Sequence, residues 1–113
     1  MSKSEIRLRC WITLEQQKFF GPGRVELLNW VEKEGSVSKA AKKMGMSYKK
    51  AWDMIHDLNT RGQQPFVTLR KGGRKGGGAE ITTSGKQFLN KYAQLLQKLQ
   101  TVIEEESEIL RLL

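Results

Sequence analysis

The chain has 113 residues, 38% of them hydrophobic and 28% charged, which suits one globular domain with a modest core and excludes the composition of a disordered chain. A single cysteine, Cys10, excludes an intrachain disulfide framework, and no apolar run approaches the roughly 18 residues that a membrane span needs. The net charge of +8 is concentrated: residues 36–75 hold ten basic and two acidic side chains, and the remainder sums to zero. Charge gathered on one segment is the footprint of a polyanionic partner. The N-terminus, Met1-Ser2-Lys3-Ser4-Glu5, lacks an apolar stretch behind it, so no signal peptide is expected and a cytoplasmic protein is.

Residues 5–14 alternate, with Ile6, Leu8, Cys10, Ile12 and Leu14 on one face and Arg7, Arg9, Trp11 and Thr13 on the other. A period of two predicts a half-buried strand. Residues 15–20 are ambiguous, and Gly21-Pro22-Gly23 breaks the chain. Three helices are expected within 22–62. Val25, Leu28 and Val31 set a helical stripe ended by Gly35. Ser36 can cap a short second helix that Gly45 stops, and Ser47 can cap a third over about 48–60. Residues 66–82 read as a β-hairpin, its tip from Lys71 to Gly78 rich in glycine and cations and expected to be irregular. Residues 83–113 read as one long helix capped at Thr82, Thr83 or Ser84. Phe88, Tyr92, Leu95, Leu99, Val102, Glu106, Ile109 and Leu113 step by four and three along it, as in a helix–helix seam.

The segment Val37 to Leu58 carries the strongest functional pattern. Two crossing helices need a small residue where they touch, a turn glycine, and apolar residues facing a shared core. Ala41, Gly45 and the stripe from Val37 to Leu58 supply these, and Lys39, Lys42, Lys43, Lys49 and Lys50 fall between them. A basic hairpin follows. The fold class is therefore α+β and mostly helical: a winged helix-turn-helix over 1–113 with an N-terminal strand and a long C-terminal dimerisation helix. In that arrangement the second helix of the motif enters the major groove and the wing touches backbone or minor groove. Ser47, Tyr48, Lys49, Lys50 and Asp53 are expected to read bases. Ser36, Ser38, Lys39 and Lys43 are expected on phosphates, and Arg70, Lys71, Arg74 and Lys75 to form the wing contacts. Trp11, Phe88, Tyr92, Leu95, Leu99 and Val102 are expected at a dimer interface.

The runs Gly35-Ser36-Val37-Ser38-Lys39-Ala40-Ala41, Met46-Ser47-Tyr48-Lys49-Lys50-Ala51-Trp52-Asp53 and Gly72-Gly73-Arg74-Lys75-Gly76-Gly77-Gly78-Ala79 resemble the N-terminal domain of the ModE family of molybdate-responsive bacterial repressors. Ile81-Thr82-Thr83-Ser84-Gly85 fits the pattern that follows the wing in several winged-helix regulator families. The resemblance covers about residues 5 to 100. It implies a dimer on operator DNA and a role in molybdenum homeostasis, with the N-terminal strand and C-terminal helix helping to dimerise. Arg74 departs from it by adding a cation to the wing glycines. Family members carry molybdate-binding domains beyond this point, so a stand-alone DNA-binding form is expected. The alternatives are a nonspecific architectural DNA binder and an interaction module that pairs with a separate effector-binding protein.

Chemistry is expected to be absent. Gly85-Lys86 lacks the rest of a phosphate-loop frame. His56 is the sole histidine, expected to be structural, and makes no zinc set with the distant Cys10. Trp30 and Trp52 are expected in the core and Cys10 buried. No cofactor, no metal and no enzymatic activity are expected.

Overall fold

A computed structural model of the protein describes residues 3–73 and 76–113, apart from the side chains of 71–77. Strands β1 (Ile12–Leu14) and β2 (Gln17–Phe20) form a hairpin, followed by helices α1 (Pro22–Glu34), α2 (Val37–Met44) and α3 (Tyr48–Arg61). Strands β3 (Val67–Gly73) and β4 (Gly76–Ile81) make a second antiparallel hairpin, and α4 (Thr83–Glu105) leads into a 3-10 segment, Ser107–Leu112.

The strand expected over 5–14 shrinks to Ile12–Leu14. A strand exists only where its backbone finds a partner, and β2 reaches only that far. The hairpin turn is the segment that sequence left ambiguous. Glu15 and Gln16 both adopt positive φ, 49° and 69°, the backbone of a two-residue type I′ loop, which usually takes Asn and Gly. A register shift between Ile12 and Thr13 accompanies the burial of both Phe19 and Phe20, which strict alternation would place on opposite faces. Their rings meet Phe66, Phe88 and Tyr92 at centroid distances of 4.6–6.0 Å, so one aromatic cluster joins the first hairpin to β3 and α4.

The three helices close over Leu27, Leu28, Val31, Val37, Ala40, Ala41, Ala51, Ile55 and Leu58. Pro22 starts α1 three residues before the apolar stripe begins at Val25, because proline's fixed φ suits the first helical position. The turn between α2 and α3 runs through Gly45 at φ 66°, a left-handed conformation that side chains resist. Trp30 is half-buried against the core as expected, and Cys10 is half-buried. Trp52 is not a core residue: it stands on the outer face of α3, 37% exposed.

Two further differences concern the wing and the last helix. Within the glycine-rich segment expected to be irregular, residues 71–73 and 76–78 continue the strands, with Gly73 opposite Gly76, while the expected irregularity survives as a register shift between Arg70 and Gly73. Ladder hydrogen bonds use the backbone alone, so missing side chains do not prevent pairing. The final helix stops at Glu105 rather than running to Leu113. Glu104, Glu105 and Glu106 crowd its C-terminus and its last turn has no basic residue; the helix dipole disfavours anions there. Thr82 is the cap: its hydroxyl accepts from the Gly85 amide at 2.9 Å and donates to the Pro65 carbonyl at 2.6 Å. A side chain on Gly85 would lie 2.5 Å from the Phe66 carbonyl oxygen, so α4 can start this close to β3 only with glycine there.

Candidate nucleic-acid interface

Three elements converge beside the helix-turn-helix. Ser36 and Ser47 are N-caps whose hydroxyls accept from the amides of Lys39 and Lys50, at 3.2 and 3.0 Å. Each cap leaves the start of its helix open to solvent, where free amides and the helix dipole favour phosphate. Ser36, Ser38, Tyr48 and Arg70, with Val37, Leu69 and Gly78, all line one groove of about 180 Å³. The start of α2, the start of α3 and the base of the wing therefore meet in one place.

The wing is fastened there from two sides. The Ala79 amide donates to the Gly35 carbonyl at 2.9 Å, tying β4 to the end of α1. On α3, Asn59 Oδ1 accepts from the amides of Phe66 and Val67 at 2.8 and 3.1 Å, while its Nδ2 donates to the Val67 carbonyl at 2.9 Å. One side chain thus pairs with the edge of β3 as a neighbouring strand would. Nothing in the sequence pattern singles out Asn59, because its role depends on a contact made only in the folded chain.

Of the residues expected to face DNA, Ser38, Lys39, Lys43, Ser47, Tyr48, Lys49, Lys50, Asp53 and Arg70 are exposed and Ser36 is half-exposed. Lys49 and Asp53 form an exposed ion pair at 2.9 Å, a contact weak enough to exchange for others. Lys43 lies over the Trp30 ring at 5.6 Å. Arg70 pairs with Glu80 across the wing. Arg74 and Lys75 lie outside the described residues, as does the Lys71 side chain.

The residues expected at a dimer interface divide. Tyr92 is corrected to a core residue: it is 3% exposed, and its hydroxyl donates to the Cys10 carbonyl. Burial raises its pKa above the ordinary value. Phe88 packs on Phe20 and Phe66 within the same chain. Both positions lie on the α4 stripe, but the first two positions of that stripe cover the protein's own core. Trp11 rests on Gly21 beneath Lys18, whose ammonium is 4.3 Å from the ring centre. Leu95 and Val102 are exposed and Leu99 is partly so.

Asp57, four residues after Asp53, is structural. It accepts from Arg24 at 2.6 Å and Arg61 at 3.0 Å, and Arg24 also donates to the Phe19 carbonyl. Burial works to raise the carboxyl's pKa, but the two guanidinium hydrogen bonds outweigh it and hold the value below 3.8. His56 is exposed rather than structural and stacks on Trp52. Among the described residues, no three His, Cys, Asp or Glu side chains gather as a metal site, and no helix is long and apolar enough to cross a membrane.

Residues 23–86 match the bacterial regulatory helix-turn-helix proteins of the lysR family. The chain is 37% identical over 99 residues to the transcriptional regulator ModE of Yersinia pestis, covering 85% of this chain and 38% of that protein. It is 36% identical over 101 residues to the DNA-binding transcriptional dual regulator ModE of Escherichia coli K12, covering 87% and 38%. The chain thus spans well under half the length of these relatives. Among solved structures, a DNA complex of BenM DBD with benA site 1 superimposes with a TM-score of 0.53 at 21% identity, covering 77% of this chain and 92% of that one. The shared fold is that of a winged helix-turn-helix.

Proposed function

Because the chain belongs to the bacterial regulatory helix-turn-helix proteins of the lysR family, in the form of a ModE-type N-terminal DNA-binding domain, we propose that it is a DNA-binding transcriptional regulator acting on duplex DNA as a homodimer. The observation that carries this reading is the groove where Ser36, Ser38, Tyr48 and Arg70 meet. It joins the open start of the recognition helix to the wing, in the segment that holds the net charge. On this reading Ser47, Tyr48, Lys49, Lys50 and Asp53 face base edges, and Ser36, Ser38, Lys39 and Lys43 hold phosphates. Arg70 and the wing cations Lys71, Arg74 and Lys75 track the adjacent backbone. Leu95, Leu99 and Val102 supply the apolar stripe through which two copies pair, with Trp11 beside them. The role is binding rather than catalysis, its site of action is the cytoplasm, and the regulated process is molybdenum homeostasis, a reading supported by similarity to ModE proteins.

The test is selection of bound duplexes from a random pool, followed by affinity measurement on the selected and scrambled sequences. A pseudo-palindromic site bound at least about tenfold more tightly than its scramble is expected. A flat preference would leave only a nonspecific binder and refute the regulator reading.

A further inference from the structure

Beyond the base readers proposed on α3, the helix carries an exposed aromatic stripe that begins at one of them, Tyr48. Tyr48, Trp52 and His56 stand four residues apart and so share one flank of the helix. All three are exposed. Tyr48 borders the groove against the wing, so the stripe runs from that groove along the recognition helix. The Trp52 and His56 rings lie nearly parallel, with centroids 4.7 Å apart and planes 10° from each other. Trp52 is 37% exposed, and the buried side of α3 is Ala51, Ile55 and Leu58 on the adjacent flank. The part of the indole left in water forgoes the gain of burial. Stacking on His56 covers part of one ring face and restricts the ring's rotation, which reduces the entropy lost when something binds the remaining surface.

The surroundings say what the occupant is. Lys39, Lys42, Lys43, Lys49 and Lys50 are all exposed on the same helix pair, and that charge suits a polyanion. Within a major groove, the base-edge group that an apolar ring can contact is the thymine C5-methyl. We infer that Trp52, positioned by His56, reads a thymine methyl in the major groove. The inference rests on the DNA-binding reading and adds a specificity contact that the polar residues of α3 do not supply.

The experiment uses the full chain and the duplex it selects, with each thymine replaced in turn by deoxyuridine, which lacks only the methyl. Binding is followed by fluorescence anisotropy. Wild type is expected to lose about fourfold in affinity at one thymine per half-site, the weight of one buried methyl group. Trp52→Ala should bind more weakly and lose sensitivity at that position alone. His56→Ala should retain a reduced sensitivity there. Both variants should keep the wild-type circular dichroism spectrum, and a lower melting temperature of Trp52→Ala, whose side chain is 37% exposed, would not explain a loss of methyl sensitivity confined to one thymine. A selected site without thymine, a wild type indifferent to every methyl, or a Trp52→Ala variant with unchanged methyl sensitivity would each overturn the inference while leaving the DNA-binding reading intact. Tighter binding of single strands than of duplex would also overturn it, by making Trp52 a base-stacking platform. A wild type that binds no duplex would overturn both readings together.

Discussion

Replacing Asn59 with alanine removes the side chain that joins the recognition helix to the wing. Three hydrogen bonds go, to the amides of Phe66 and Val67 and to the Val67 carbonyl. Phe66 and Val67 are 5% and 2% exposed, so water cannot readily replace the lost acceptor. Each buried, unsatisfied amide costs about 1–3 kcal/mol, and two of them give about 3 kcal/mol. For a chain of this length that corresponds to a fall of roughly 10 °C or more in Tm. Asn59→Asp keeps an acceptor for both amides but sets a carboxylate oxygen against the Val67 carbonyl, so it should restore only part of the loss. Urea denaturation followed by circular dichroism checks both variants, with an unchanged m-value expected. If Asn59→Ala lowers stability by less than about 1 kcal/mol, the side chain does not serve as a strand partner and the account of wing anchoring is wrong.

The first hairpin carries avoidable strain. Gln16→Gly relieves a left-handed side-chain position and should raise stability by about 1 kcal/mol, seen as a higher urea midpoint; a lower midpoint would count against the turn assignment. Gly45→Ala should cost about 1 kcal/mol through backbone conformation alone, because a Cβ there meets nothing within 4 Å. Asp57 predicts a signed acid response. Its folded pKa is depressed below 3.8, so the stability it confers is fully present above about pH 4 and is lost as pH falls through the folded value. Thermal melts from pH 5 to 2.5 should fall more steeply for wild type than for Asp57→Asn. Lys39→Ala should reduce the salt slope of DNA binding by about one without altering the selected sequence.

The helix-turn-helix was legible because its signals are local. Ser36, Gly45 and Ser47 act within their own turns, and the apolar spacing from Val37 to Leu58 reports one face of each helix. What escaped depended on contacts between distant segments. Asn59 matters through β3, and Tyr92 through Cys10, 82 positions away. The α4 stripe has one periodicity but two environments, so its period could not separate Tyr92 in the core from exposed Val102. The alternation of residues 5–14 was real as a pattern, but a strand also needs a partner, which among the described residues only Ile12–Leu14 has. Trp52 misled for a different reason: tryptophan is usually buried, and the exception falls on the face proposed to touch DNA.

The most direct test of the interface is the salt dependence of binding to the selected duplex. If Lys39, Lys43, Arg70 and the wing cations neutralise phosphates, log Kobs should fall against log salt with a slope steeper than about −3 per subunit. A slope shallower than about −1 would mean that the concentrated charge does not meet the DNA backbone, and would contradict the placement of α2, α3 and the wing on the duplex.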